Sequence, residues 1–223
     1  MGPGCIALFH GQPGTGKTLT AMLLAKSLGR DVYRVDLSAV VSKYIGETEK
    51  NLDTVFDRAN DGGWILFFDE ADALFGRRTE VKDAHDRYAN TEVSYFLDKI
   101  EKYYGLVILA TNLRSHLDDA FLRRFPFVID FQVPDKDERR RIWLRVLPHQ
   151  HGTKRHAALL SRFVLTGGNI RNAALFAAKK ATDEDRRSIR LSDAAKGIQR
   201  EVEKEGKVFQ NLIKNEMADE EDS

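Results

Sequence analysis

"FHGQPGTGKTLTAMLLAKSLG", Phe9 to Gly29, is the stretch on which the fold turns. An apolar run ends in a glycine-rich loop, the loop ends in Lys17 and Thr18, and a helical pattern follows. Its centre, "GQPGTGKT", fits G-x-x-x-x-G-K-[ST]. Gly11, Gly16, Lys17 and Thr18 hold the defining positions, with Pro13, Gly14 and Thr15 between them. Glycines let backbone N–H groups turn inward around phosphate oxygens. The following helix offers its N-terminus to the anion. Lys17 is placed to reach β- and γ-phosphates, and Thr18 to ligate Mg²⁺. A glycine-rich turn with a chance lysine is the alternative. The motif requires a strand before and a helix after, and the pattern predicts both, which favours nucleotide binding.

Outward from the loop, short apolar runs alternate with helical patterns. The runs predict strands at Cys5–Phe9, Asp31–Leu37, Trp64–Phe68, Leu106–Thr111 and Phe127–Phe131. Helices are predicted over Thr18–Leu28, Glu47–Asn60 and Thr91–Lys102, the last with Val93, Phe96, Leu97 and Ile100 on one face. Continuous apolar runs separated by helices indicate an α/β fold with a parallel sheet covered on both faces. After "VPD" at Val133–Asp135 the strands stop. Helices follow at Asp135–Leu147, His156–Phe163, Asn169–Thr182 and Leu191–Glu203, punctuated by Pro148 and the Gly167–Gly168 pair. The expected organisation is an α/β subdomain over 1–134, a helical subdomain over 135–216 and an acidic, disordered tail over 217–223.

Composition narrows the classes. With 223 residues, 42% hydrophobic and 31% charged, the chain can bury a core of ordinary globular character. A net charge of +1 gives no basic field for nucleic acid or an anionic membrane. Cys5 is the one cysteine, so no intrachain disulfide can form, and a reducing, cytoplasmic location is expected. No apolar run approaches the roughly 20 residues of a membrane span. The opening "MGPG" meets the first strand almost at once, which reads as a fragment boundary with a region upstream.

A second half of the site follows in "ILFFDEAD". The buried strand delivers Asp69 and Glu70 to the sheet edge where the phosphate loop lies. Asp69 suits Mg²⁺, directly or through water. Glu70 suits a general base that polarises attacking water. Two solvated acids at the start of a loop are the alternative, which the flanking Phe67 and Phe68 disfavour. Asp72 reads as structural.

Together these motifs resemble the AAA+ ATPases. Gly11–Thr18 resembles a Walker A motif, and Ile65–Glu70 a Walker B ending in Asp-Glu. "ATN" resembles sensor 1, carried by Asn112, and "GGNIRNAALFAA" places Arg171 where sensor 2 arginines sit. The helical unit is similar to the AAA+ lid, so that a P-loop sheet followed by a small all-helical lid is the implied fold. The resemblance implies ATP and Mg²⁺ as ligands. Asn112 would orient the lytic water beside Glu70, and Arg171 would contact the γ-phosphate and couple lid angle to nucleotide state. The alternatives are a turn-forming asparagine and an exposed helix arginine. Gly168 and Ile142 are assigned to adenine by their lid positions alone.

"LDDAFLRRFPFVIDF" resembles the second region of homology in the classical AAA branch, where two arginines flank a Pro-Gly. Here Arg123 and Arg124 are adjacent and the Pro-Gly is absent. They are candidate arginine fingers for a neighbouring subunit's site, and which of the two acts stays open. A solvated basic pair is the alternative. Fingers acting in trans imply a homo-oligomeric ring, hexameric in this family.

"SKYIGETEKNL" carries Lys43, Tyr44 and Ile45 and resembles the first pore loop of protein-threading AAA ATPases. There an aromatic side chain packs against a peptide in the channel. A tyrosine packed on its own subunit is the alternative. The polar stretch Gly76–Asn90 sits where a second pore loop would lie, with Arg77 or Arg78 facing the channel; a surface loop fits equally. "VDLSAVVSKYIGETEKNL", "DEADALFGRRTEVKDAHDRYAN" and "AFLRRF" together resemble the AAA ATPases encoded with contractile injection systems, the phage-tail-like particles.

The function implied is ATP hydrolysis coupled to remodelling, threading or disassembly of protein complexes. A nucleic-acid motor or clamp-loader-like ATPase is disfavoured, because a DNA channel needs several Lys or Arg per subunit. A scaffold that binds ATP without turnover needs no glutamate at position 70. A small-molecule kinase needs neither Asn112 and Arg171 nor an arginine pair. Substrate choice in this family usually lies in an N-terminal region, so the sequence names no substrate.

Overall fold

The computed structural model describes residues 4–40, 47–72, 84–112, 122–150 and 152–206, with 84–90 described by backbone alone. The chain divides into two compact units, Met1–Gln132 and Val133–Ser223.

In the first unit the apolar runs become β1 (Cys5–Gly11), β2 (Val32–Asp36), β3 (Ile65–Asp69), β4 (Leu106–Thr111) and β5 (Phe127–Phe131). They form one sheet of order β2-β3-β4-β1-β5, with every pair parallel. The helices are α1 (Lys17–Ser27), the short α2 (Leu37–Val40), α3 (Glu47–Gly62) and α4 (Ala84–Lys102). Strand periodicity sorts the side chains. Leu8, Leu66, Phe68, Val107 and Leu109 face Leu52 and Phe56 of α3 and Phe96 and Ile100 of α4. Ala7, Phe9, Ile65, Phe67, Ile108 and Ala110 face Ala21 and Ala25 of α1. Burial on both faces is why these strands read as unbroken apolar runs rather than alternating ones. Each buried Leu or Phe contributes about 1.5–3 kcal/mol. Phe68 and Phe96 add an edge-to-face contact, with centroids 4.9 Å apart.

This is the parallel α/β fold expected from the sequence, with differences at several element ends. The helix expected from Asn169 starts at Gly167, so the Gly167–Gly168 pair opens it behind the Thr166 cap rather than breaking the chain. Four further details differ. Leu37 starts α2 rather than ending β2. Asp36 Oδ1 accepts the N–H of Ser38 at 2.9 Å and its hydroxyl at 2.6 Å, so a side chain captures the backbone and turns it out of the strand. The helix expected from Thr91 begins at Ala84. The sequence from Arg77 to Tyr104 contains no Gly or Pro, so nothing in the seven residues from Ala84 to Asn90 breaks a helix. β5 is not covered on both faces. It pairs with β1 alone among the described strands, at the sheet edge, and exposes Phe127, Val128 and Ile129. The helix expected at His156–Phe163 lies three residues earlier.

The second unit contains α5 (Lys136–Val146), α6 (Thr153–Leu160), α7 (Gly167–Asp183) and α8 (Leu191–Lys204). A capping box starts α5: Asp135 accepts the Glu138 N–H at 2.8 Å, and Glu138 accepts the Asp135 N–H at 3.0 Å. The early start of α6 follows from Gly152, whose φ of 83° no side-chain-bearing residue adopts cheaply, and it buries Ala157 and Leu160. Trp143, Ile170, Ala173, Ala177 and Ile198 form the core. Small residues bring α7 and α8 close: a Cβ on Gly197 would lie 2.5 Å from the Ala173 carbonyl oxygen. Among the described residues no helix is long and apolar enough to cross a membrane.

Candidate active site

The site starts where β1 ends. Gly11 sits at φ 142°, and a Cβ there would lie 2.2 Å from the Phe131 carbonyl oxygen. Only glycine turns the chain here without breaking the β1–β5 pairing. Gly16, at φ 111°, is the N-cap of α1 and supplies no capping side chain, which leaves the first N–H groups of the helix to an anion. Pro13 and Gly14 are exposed, and Thr15 closes a turn by donating its hydroxyl to the Gln12 carbonyl at 2.8 Å.

Lys17 is the first residue of α1 and is 7% exposed. Its Nζ donates to Gly11 O at 2.7 Å, Gln12 O at 3.1 Å and Asn112 Oδ1 at 2.9 Å. All three ammonium protons are thus engaged. Burial holds its pKa below the usual lysine value, and the charges of Asp69 and Asp72 oppose that shift. Thr18 follows on α1, half-buried. Asn112 reaches Lys17 because β1 and β4 pair in register, His10 opposite Thr111. Asp72 fixes the end of β4 by accepting the Thr111 hydroxyl at 3.0 Å and the Asn112 N–H at 3.4 Å, the structural part its position in the sequence implied.

Asp69 ends β3 with the parity of Ile65 and Phe67, on the face that carries α1. Glu70 follows, exposed, at φ 54°, in the left-handed region uncommon for a non-glycine residue. Its N–H donates to Asp69 Oδ1 at 3.1 Å. Sequence reasoning missed two partners. Arg34 of β2 donates to Asp69 Oδ2 at 2.6 Å. The buried His10 lies 3.2 Å from Asp130 through Nδ1, beside the phosphate loop. Both depend on strand register, which residue spacing does not supply.

The first unit thus brings the loop, Lys17, Asp69 and Asn112 together. Arg123 and Arg124 occupy the turn before β5, tied down by the buried Phe125. Arg124 pairs with Glu101 of α4 at 2.6 Å; Arg123 has no partner among the described residues. Ile142, Gly168 and Arg171 belong to the second unit. Ile142 packs partly on its core, Gly168 is in the first turn of α7, and Arg171 is exposed on the same helix. Lys43, Tyr44, Ile45, Arg77, Arg78 and the acidic tail lie outside the described residues.

A buried ammonium, backbone donors at a helix start and an adjacent carboxylate can hold a polyphosphate and its cation. Among the described residues no three His, Cys, Asp or Glu form a metal cage. Asp69 with the Thr18 hydroxyl fits instead the sparse, all-oxygen protein coordination that Mg²⁺ takes beside phosphates.

Residues 7–133 match the family described as ATPase family associated with various cellular activities (AAA). The chain is 40% identical over 129 residues to the AAA family ATPase y4kL of Sinorhizobium fredii, covering 57% of this chain and 39% of that protein. It is 32% identical over 202 residues to a proteasome-activating nucleotidase of Methanococcus maripaludis, covering 86% and 49%. It is 29% identical over 206 residues to the 26S proteasome regulatory subunit S10B homolog B of Arabidopsis thaliana, covering 86% and 51%. The chain thus spans about half or less of the length of these curated relatives.

Proposed function

The chain belongs to the AAA family of ATPases, an ATP-hydrolysing family, and we propose that it hydrolyses ATP to remodel, thread or disassemble protein complexes as part of a homo-oligomeric, hexameric ring. The observation that carries the reading is the hydrogen bond between Lys17 and Asn112, which joins the phosphate loop to the β4 end beside Asp69. Lys17 and the loop amides bind the β- and γ-phosphates. Thr18 and Asp69 hold the metal. Magnesium, when bound with the nucleotide, supplies charge neutralisation across the phosphate oxygens. Glu70 takes the proton of the attacking water, and Asn112 orients that water. Arg123 or Arg124 reaches a neighbour's site, and Arg171 reports the nucleotide to the helical unit. Pro13, Gly14 and Thr15 shape the loop, and Ile142 and Gly168 contact adenine.

Two relatives are named for the proteasome, which supports a protein as the object of the work. Lys43, Tyr44 and Ile45 would grip it. The single Cys5 supports a reducing compartment, the cytoplasm. The narrower likeness to ATPases of contractile injection systems rests on its three quoted segments alone, and none of the relatives above carries it. Glu70→Gln tests the reading: nucleotide binding is expected to persist while turnover stops, and normal turnover would remove Glu70 as the base.

A further inference from the structure

Asp69 uses both carboxylate oxygens. Oδ1 accepts the Glu70 N–H, and Oδ2 accepts Arg34 Nη2 at 2.6 Å. β2 and β3 pair with Arg34 opposite Phe67 and Asp36 opposite Asp69. Period-two alternation therefore puts Arg34 on the same sheet face as Asp69, one step along the strand. The two partners are unequal. The Arg34 side chain is 57% exposed and that of Asp69 20%. A solvent-facing guanidinium thus covers a largely enclosed carboxylate. Ion pairs with one exposed member are weak and exchange partners at little cost. A divalent, hard cation competes well for the same oxygen. The other oxygen braces the left-handed turn at Glu70, so whatever fixes the Asp69 side chain also fixes where Glu70 starts.

We propose that Arg34 is a positioning residue for the β3 carboxylates, holding Asp69 Oδ2 until Mg²⁺ arrives with nucleotide and then ceding that oxygen to the metal. The inference rests on the nucleotide-site reading above. Without metal, Arg34 offsets the negative charge of Asp69, and polyphosphate meets less repulsion. With metal, Arg34 is a competitor. Removing it should weaken metal-free binding and strengthen metal-dependent binding.

The test is the dissociation constant of a fluorescent ADP analogue, measured on the whole chain with Mg²⁺ and with EDTA. Wild type, Arg34→Gln and Arg34→Lys are compared, with thermal melts as a check on folding. The ratio of the EDTA to the Mg²⁺ constant is expected to rise about two- to fivefold in Arg34→Gln, the span of an exposed ion pair. Arg34→Lys keeps the charge but loses the fork, and its ratio should fall between the two. An unchanged or smaller ratio in Arg34→Gln overturns the proposal, as does an Arg34→Lys ratio outside that interval. Absence of binding by the wild-type chain in both conditions overturns the nucleotide-site reading instead.

Discussion

Lys17 and Asn112, 95 residues apart in the chain, meet through a 2.9 Å hydrogen bond from Nζ to Oδ1. The contact ties the cation proposed to meet phosphate to the side chain proposed to orient water. Asn112→Ala is expected to lower kcat about a hundredfold, while nucleotide affinity changes far less, because the loop amides and Lys17 remain. Steady-state hydrolysis and nucleotide titration separate the two effects. An equal loss in binding and turnover would make Asn112 a support for Lys17 only.

The arginine pair is unequal. Arg124 is engaged with Glu101 at 2.6 Å on its own chain. Arg123 therefore is the stronger candidate for reaching a neighbour. Arg123→Ala is expected to lower kcat by about 10³-fold in the assembled protein, the scale of a lost arginine finger. Arg124→Ala removes an exposed pair worth at most about 1 kcal/mol and should leave turnover largely intact. Side-by-side kcat values decide it; the reverse order would move the role to Arg124.

Gly11→Ala should damage the fold as well as the site. The added Cβ meets the Phe131 carbonyl oxygen at 2.2 Å, and the φ of 142° is strained for any side chain. The expected cost is about 3 kcal/mol or more, read as a lowered melting temperature together with lost nucleotide binding. An unaltered melting temperature would contradict the tight β1–β5 closure.

Among the described residues of the helical unit, Asp193 is one of two buried carboxylates, with Glu201, whose pKa values are held down. It is 1% exposed and accepts Lys180 at 2.8 Å and Arg186 at 2.7 Å. Burial pushes its carboxyl up, but the hydrogen bonds and charges of Lys180 and Arg186 outweigh burial and hold it below the usual carboxylate range. A depressed folded pKa means the stabilisation is present above about pH 4, the unfolded value, and is lost as pH falls through the lower folded value. Asp193→Ala removes the buried anion that Lys180 and Arg186 share and should lower the melting temperature at neutral pH. Asp193→Asn should flatten the fall in melting temperature below pH 4, and an unchanged acid slope would assign it to other carboxylates.

Much of this was legible in the sequence. "ILFF" reads as a strand because both of its faces are buried, and the glycine loop because its backbone demands are local. Where a side chain redirected the backbone, as Asp36 does at Ser38, apolar pattern misplaced the end of an element. Contacts that depend on register or on long separation, Arg34 with Asp69 and Arg124 with Glu101, left no mark in residue spacing. The edge position of β5 was hidden for the same reason. "FVIDF" looks like a core strand until its neighbours are known.

The most direct test of a shared-site ATPase is steady-state ATP hydrolysis across a range of protein concentrations, with sedimentation of the same samples with and without nucleotide. Specific activity should rise with concentration in step with a nucleotide-dependent heavy species. Constant specific activity from a sedimenting monomer would contradict the ring and the arginine pair's action on a neighbour.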